Sequence, residues 1–237
     1  MAILSIMLVD IYDATASLHQ MSAHSPATHP LPSSVGDFIA ALRELETSPI
    51  TTTRVLDLLP QVRPSAEALA PYMLWSSDRY TRNLIYRDQF FEVLALCWLP
   101  GQKTAVHTHD GQLGWVTMVQ GELDCRDYRF VRPPLEETSS PDESQFRPYF
   151  SARTRRVEVE LLASTICVAD GSVAVVDRRQ TTHQIANREH SKHGSVSLHI
   201  YSKPIDRCVQ FDETSRCWER RPLRYHSRNG VVLGHAA

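Results

Sequence analysis

The sequence predicts a mainly β protein: an antiparallel β-barrel, or jelly roll, with a layer of helices at its N-terminal end. Three observations carry that prediction. From residue 80 onward, strand-like runs alternate with turn residues. Ahead of them, three short segments show the 3.6-residue apolar period of helices. The length of 237 residues, with 42% hydrophobic and 22% charged side chains, fits one substantial globular domain.

Taken in order, residues 1–33 mix Ser and Pro with His24 and His29 and are expected to be a disordered tail with both histidines solvated. Asp37 to Leu45 puts Phe38, Ala41, Leu42 and Leu45 on one helical face. Thr53 to Leu59 is a second helix, stopped by Pro60. Ser65 to Ala70 is a third, with Ser65 as its cap and Pro64 near its start. Phe90 to Leu99 reads as a strand bounded by Asp88 and by Pro100-Gly101. Further strands are expected at 114–120, 122–131, 156–161, 173–177, 182–187 and 195–201. Pro133 to Glu143 is a polar insertion read as a flexible loop. One domain is therefore expected over 34–220, its barrel at about 85–212, and 221–237 is expected as a C-terminal tail.

A net charge of −2 gives no electrostatic reason for nucleic acid or an anionic membrane surface as partner. No apolar run reaches spanning length. The apolar opening from Met1 to Val9 lacks a basic flank and is cut by Asp10, so no secretory signal is expected. The five cysteines are odd in number and form no C-x-x-C pair. That is neither a disulfide framework nor a thiolate zinc knuckle, and it suits the cytoplasm. Cys97 reads as a core residue, and Cys125, Cys167 and Cys217 read as structural thiols.

The chemistry centres on Val106-His107-Thr108-His109. On a strand, alternate side chains share a face, so His107 and His109 are expected to point into one cavity. Two imidazoles held that way are half of a metal site. Ser197, His199 and Tyr201 alternate along a later strand and share a face by the same rule.

Gly101, five residues, His107-X-His109 and then Gly121 closing the next turn resemble the first motif of the cupin superfamily. His183-Gln184-Ile185-Ala186-Asn187, with Gly171 upstream, resembles the second. The resemblance implies a cupin-type barrel with His183 as third ligand; His190 and His193 compete for that place. Cupins usually carry a Glu ligand shortly after His-X-His, where this chain has Leu113 and Gly114. Three imidazoles without a carboxylate leave a metal more positive, which favours a substrate that brings a thiolate.

Tyr80-Thr81-Arg82-Asn83-Leu84, Cys97-Trp98 and Ser197-Leu198-His199-Ile200-Tyr201-Ser202-Lys203-Pro204 complete the pattern. With the histidines they resemble the cysteine dioxygenase family of thiol dioxygenases over about residues 75–212. The resemblance implies one Fe(II) on His107, His109 and His183, and oxidation of cysteine by O2 to cysteine sulfinic acid. It implies that Arg82, with Tyr80 beside it, holds the substrate carboxylate. It also implies an outer-sphere hydrogen-bond chain of Ser197, His199 and Tyr201, with the Tyr201 hydroxyl near the iron. Family members with a Cys at the position of Gly114 cross-link it to this tyrosine; Gly114 places the chain with bacterial-type members that lack it. The expected partners are a small thiol amino acid and O2, with no nucleic acid, no membrane and a monomeric state. Two alternatives stay open: a sister enzyme for 3-mercaptopropionate or another small thiol, against which Arg82 argues, and a non-catalytic metal-binding cupin.

Overall fold

A computed structural model describes residues 34–131, 158–176, 182–212, 214 and 216–234. The expected tail 1–33, with His24 and His29, and the insertion from Pro133 to Glu143 lie outside the described residues.

Helix α1 (Val35–Glu44) begins at a capping box: the Ser34 hydroxyl accepts from Asp37 N–H, and the Asp37 carboxylate accepts from Ser34 N–H. It buries Phe38 and Leu42 completely. Helix α2 (Thr52–Val62) runs two residues beyond Pro60, where the sequence predicted a stop. Pro60 falls in the last turn, so the backbone bond it removes is one that fraying would weaken anyway. Helix α3 (Ala66–Leu69) starts where Ser65 caps the Ala68 N–H.

The strands are β1 (Thr81–Arg87), β2 (Glu92–Trp98), β3 (Val106–His107), β4 (Leu113–Gln120) and β5 (Glu122–Val131). They continue with β6 (Glu158–Val168), β7 (Val173–Val176), β8 (His183–Ala186) and β9 (Ser195–Ser202). The last four are β10 (Arg207–Asp212), β11 (Cys217–Pro222), β12 (Ser227–Arg228) and β13 (Val231–Val232). One sheet has the order β13-β12-β1-β2-β9-β4-β7, the other β11-β10-β3-β8-β5-β6. Pairing is antiparallel except between β1 and β12, which is the jelly-roll arrangement the sequence predicted.

Several boundaries differ from the sequence reading. Thr81 to Leu84 opens a strand ahead of the one expected at Phe90 to Leu99, with Tyr80 just outside it, and Asp88 shapes the turn to β2 by accepting from the N–H groups of Phe90 and Phe91. Strand β6 runs on to Val168 because it pairs with β5 along its whole length. The expected C-terminal tail carries the end of β11 together with β12 and β13. It is held by Asn83, which accepts from the Ser227 hydroxyl at 2.7 Å and is itself fully buried.

Alternation along the central strands divides the core. Val93 and Ala95 of β2, Leu198 and Ile200 of β9, and Trp115 of β4 face α1 and α2, where Phe38, Leu42, Val55 and Leu59 cover them. Leu94, Leu96 and Trp98 of β2, with Tyr201 of β9, face the second sheet and meet Leu123, Cys125 and Ile185. Val106, Val209, Phe211 and Trp218 form a third cluster around β3, β10 and β11. Phe38 is the keystone of the helical layer. Phe38→Ala is expected to cost about 3–5 kcal/mol, read as a lower midpoint in urea denaturation with a little-changed slope.

Candidate metal centre and substrate pocket

The sequence motif and the sheet register converge on three imidazoles. His107 and His183 lie opposite one another across β3 and β8. His109 shares their cavity as expected, although β3 stops at His107. A turn closed by Gln112 N–H on the His109 carbonyl follows, with Asp110 and Gly111 at positive φ of 51° and 79°. One possible ligand nitrogen from each ring lies within 4.8 Å of the other two, and the ring centroids are 4.7 to 4.9 Å apart. His190 and His193, the competing third ligands, lie exposed in the loop before β9, outside this cluster.

The cluster is built to present neutral nitrogen. Nδ1 of His107 lies 3.0 Å from the Ala105 carbonyl. With Nδ1–H donating there, Nε2 keeps its lone pair for an ion. Burial lowers the His107 pKa to about 4, with a further push from the Arg82 charge. Burial holds His183 well below the ordinary range too, helped by repulsion from His109 and His107. Such a donor set suits a divalent transition ion.

The pocket beside the histidines is lined by Tyr80, Arg82, His199, Tyr201, Cys208 and Gln210, among others. Arg82 on β1 keeps only a tenth of its side chain exposed, and its Nε and Nη2 are buried without hydrogen-bond partners. Buried guanidinium donors left open are costly unless an anionic acceptor completes them. Tyr80 is stacked on Trp98, ring centroids 4.5 Å apart and 14° from parallel.

Strand β9 presents the expected polar row, and the structure extends it by one residue. Trp98 Nε1–H donates to Ser197 Oγ at 3.0 Å, Ser197 Oγ lies 2.9 Å from His199 Nε2, and His199 Nδ1 lies 3.0 Å from the Tyr201 hydroxyl. One direction of donation satisfies every member: Trp98 to Ser197 to His199 to Tyr201, leaving the Tyr201 O–H to donate into the pocket. Burial pushes the tyrosine pKa up, so that proton stays in place at neutral pH. Burial, then the Arg82 charge, lowers the His199 pKa to about 3 and keeps that ring neutral.

Gly114 lies opposite Tyr201 in the sheet register. A Cβ there would stand 2.8 Å from the tyrosine Cδ1, so glycine is what lets the ring lie flat against the strand.

Sequence reasoning missed Glu92. Its carboxylate is fully buried, 3.5 Å from Arg82 Nη2 and 3.4 Å from Arg87 Nη1. It accepts from the Tyr225 hydroxyl and from Ile205 N–H. The available signal was a lone acid in the apolar run from Phe90 to Leu99; its partner Tyr225 lay in the stretch read as a tail. Cys208, Gln210 and Leu223, which also line the pocket, had no sequence signal.

Two facing sheets and a trio of imidazoles, two of them buried and one half-buried, define a metal-binding protein of the cupin class. The chain belongs to the cysteine dioxygenase type I family, whose profile matches residues 21–214. Cysteine dioxygenase type 1 of Homo sapiens is 24% identical over 207 residues, covering 86% of this chain and 92% of that protein. The Rattus norvegicus enzyme of the same name is 25% identical over 202 residues, covering 84% and 90%. A sugar phosphate isomerase of the cupin superfamily from Silicibacter pomeroyi overlaps 74% of this chain and 89% of its own, at 16% identity and a TM-score of 0.37. Among the described residues, no helix is long and apolar enough to cross a membrane.

The buried neutral rings set a pH dependence. His199 has a folded pKa of about 3 against an ordinary 6.5, so below about 6.5 the unfolded chain binds a proton that the folded chain refuses. Its contribution is complete above pH 6.5 and is lost as pH falls toward 3, at about 1.4 kcal/mol per pH unit. With chelator present, the melting temperature is expected to drop steeply between pH 7 and 5, and His199→Gln to shallow that slope. Glu92→Leu leaves Arg82 and Arg87 without their shared carboxylate and is expected to cost about 3–5 kcal/mol, measured by urea denaturation.

Proposed function

We propose that this chain is an iron(II) dioxygenase that oxidises L-cysteine with O2 to cysteine sulfinic acid, with both oxygen atoms going to sulfur. The observation that carries the reading is the buried Arg82 guanidinium, whose Nε and Nη2 make no hydrogen bond although Nη2 lies 3.5 Å from the Glu92 carboxylate, in one pocket with His107, His109 and His183. A pocket with a fixed guanidinium at one end and neutral imidazoles at the other suits a small molecule with a carboxylate and a thiol.

His107, His109 and His183 would hold the iron, which when bound supplies thiolate activation and O2 reduction. Arg82 takes the substrate carboxylate, its planar fork matching two oxygens, and Tyr80 flanks it on the stacked platform of Trp98. Glu92, 3.5 Å from Arg82 Nη2, offsets the guanidinium charge from within the protein. Anchoring the acid at Arg82 fixes where the sulfur lies, and that positioning contributes much of the acceleration. Tyr201, held by His199 and Ser197, keeps a hydroxyl proton available beside the reacting atoms.

Iron-loaded protein is expected to take up O2 with L-cysteine more efficiently than with 3-mercaptopropionate or cysteamine, with sulfinic acid as product. Uptake confined to 3-mercaptopropionate would move the assignment to that substrate. Absence of uptake from all three, at full iron content, would end the enzymatic reading. Arg82→Ala is expected to keep its iron while KM for cysteine rises at least about tenfold, the loss of one charge-assisted hydrogen-bonded pair. His183→Ala is expected to lose most of its iron, measured by metal analysis of the purified protein.

A further inference from the structure

The sheet register brings together two cysteines that sequence reading left as separate structural thiols. Leu123 pairs with Cys167 and Cys125 with Thr165 across β5 and β6. Cys125 and Cys167 are thus diagonal neighbours on the inner face of one strand pair. Their sulfurs are 2.9 Å apart, and both are free thiols. They line a hollow with Val116, Met118, Ser172 and Ile185, separate from the substrate pocket except that Ile185 borders both. Cys125 is buried, whereas Cys167 is half-buried and precedes the exposed Val168 at the end of β6.

From this geometry we infer that Cys125 and Cys167 form a dithiol centre that reacts with low-molecular-weight disulfides and closes to an intramolecular disulfide. The Cys167 thiolate attacks one sulfur of R–S–S–R, forming a mixed disulfide and releasing RS⁻. Cys125 then gives up its proton and attacks the Cys167 sulfur, releasing the second RS⁻. The two protein thiols lose two electrons and two protons; the small disulfide becomes two RSH. Three features assign the order of attack. Of the two, Cys167 is the more exposed. The contact between the two sulfurs favours a thiolate on Cys167, whose pKa lies below that of an ordinary thiol, while the same contact and burial push Cys125 up. The final closure moves the sulfurs by less than about 1 Å, an S–S bond being about 2.05 Å. The proposal does not depend on the reading of the histidine site.

The test uses the full-length, chelated protein with bis(2-hydroxyethyl) disulfide as probe. The expected product has three thiols instead of five after denaturation, a mass lower by two hydrogens, and a peptide map joining residues 125 and 167. Its melting temperature should rise by on the order of 10 °C, because the bond closes a loop of 42 residues in sequence, and a reductant should reverse the rise. Cys125→Ser should stop at a stable mixed disulfide on Cys167, heavier by half the probe. Cys167→Ser should take up no probe at position 125. Five unreacted thiols in the wild type, a persistent wild-type adduct on Cys167, or a bond joining any other pair would overturn the proposal.

Discussion

Strand β9 is the constraint on which the rest of this molecule depends. It is bonded on one side to β2 and on the other to β4, and every one of its residues is buried. Its two faces do incompatible jobs. Leu198 and Ile200 face the helical layer, while Ser197, His199 and Tyr201 face the pocket. A slip of one residue would exchange the faces, burying three polar side chains under apolar helices. The register is therefore fixed from both sides, and the hydrogen-bond row inherits its precision from the sheet.

Much of this was legible because strands write their faces into sequence with a period of two. The polar row of β9, the apolar run of β2 and the turn at Gly121, whose φ is 72°, could all be read directly. The metal cluster was legible only through motif resemblance. Periodicity points His107 and His109 into one cavity, where both lie, although His109 falls just past the end of β3. What could not be read was pairing across long stretches of chain. Glu92 and Tyr225 are 133 residues apart, and Cys125 and Cys167 are 42 apart. No local pattern links either pair; the link is sheet order. Short strands such as β12 and β13, two residues each, fall below any periodicity window, which is why the C-terminal stretch looked patternless.

The pocket also illustrates how buried charge is kept tolerable. Arg82 and Arg87 share Glu92, and Arg87 reaches Asp206 at 2.7 Å as well. Two guanidinium groups thus face two carboxylates, and the inner carboxylate is further stabilised by Tyr225 and a backbone N–H. Removing Glu92 would expose Arg82 to its full desolvation cost. Keeping it leaves Arg82 with geometry to spare: its Nε and Nη2 still lack hydrogen-bond acceptors. A residue that is charge-balanced yet hydrogen-bond-deficient can remain folded without ligand and still gain from binding one.

The same accounting explains why the centre holds three imidazoles and no carboxylate. Neutral histidines leave both charges of a divalent ion uncompensated, and Glu92, the buried acid beside Arg82, is engaged by the arginines. On the proposed reading, the anionic charge comes with the substrate: a thiolate toward the histidines and a carboxylate toward Arg82. A substrate with one anionic group could satisfy only one end of the pocket. An amine substituent changes neither match, so charge complementarity alone selects mercapto acids as a class. Choice among them must come from the shape of the lining near Cys208, Gln210 and Leu223, residues that no motif singled out.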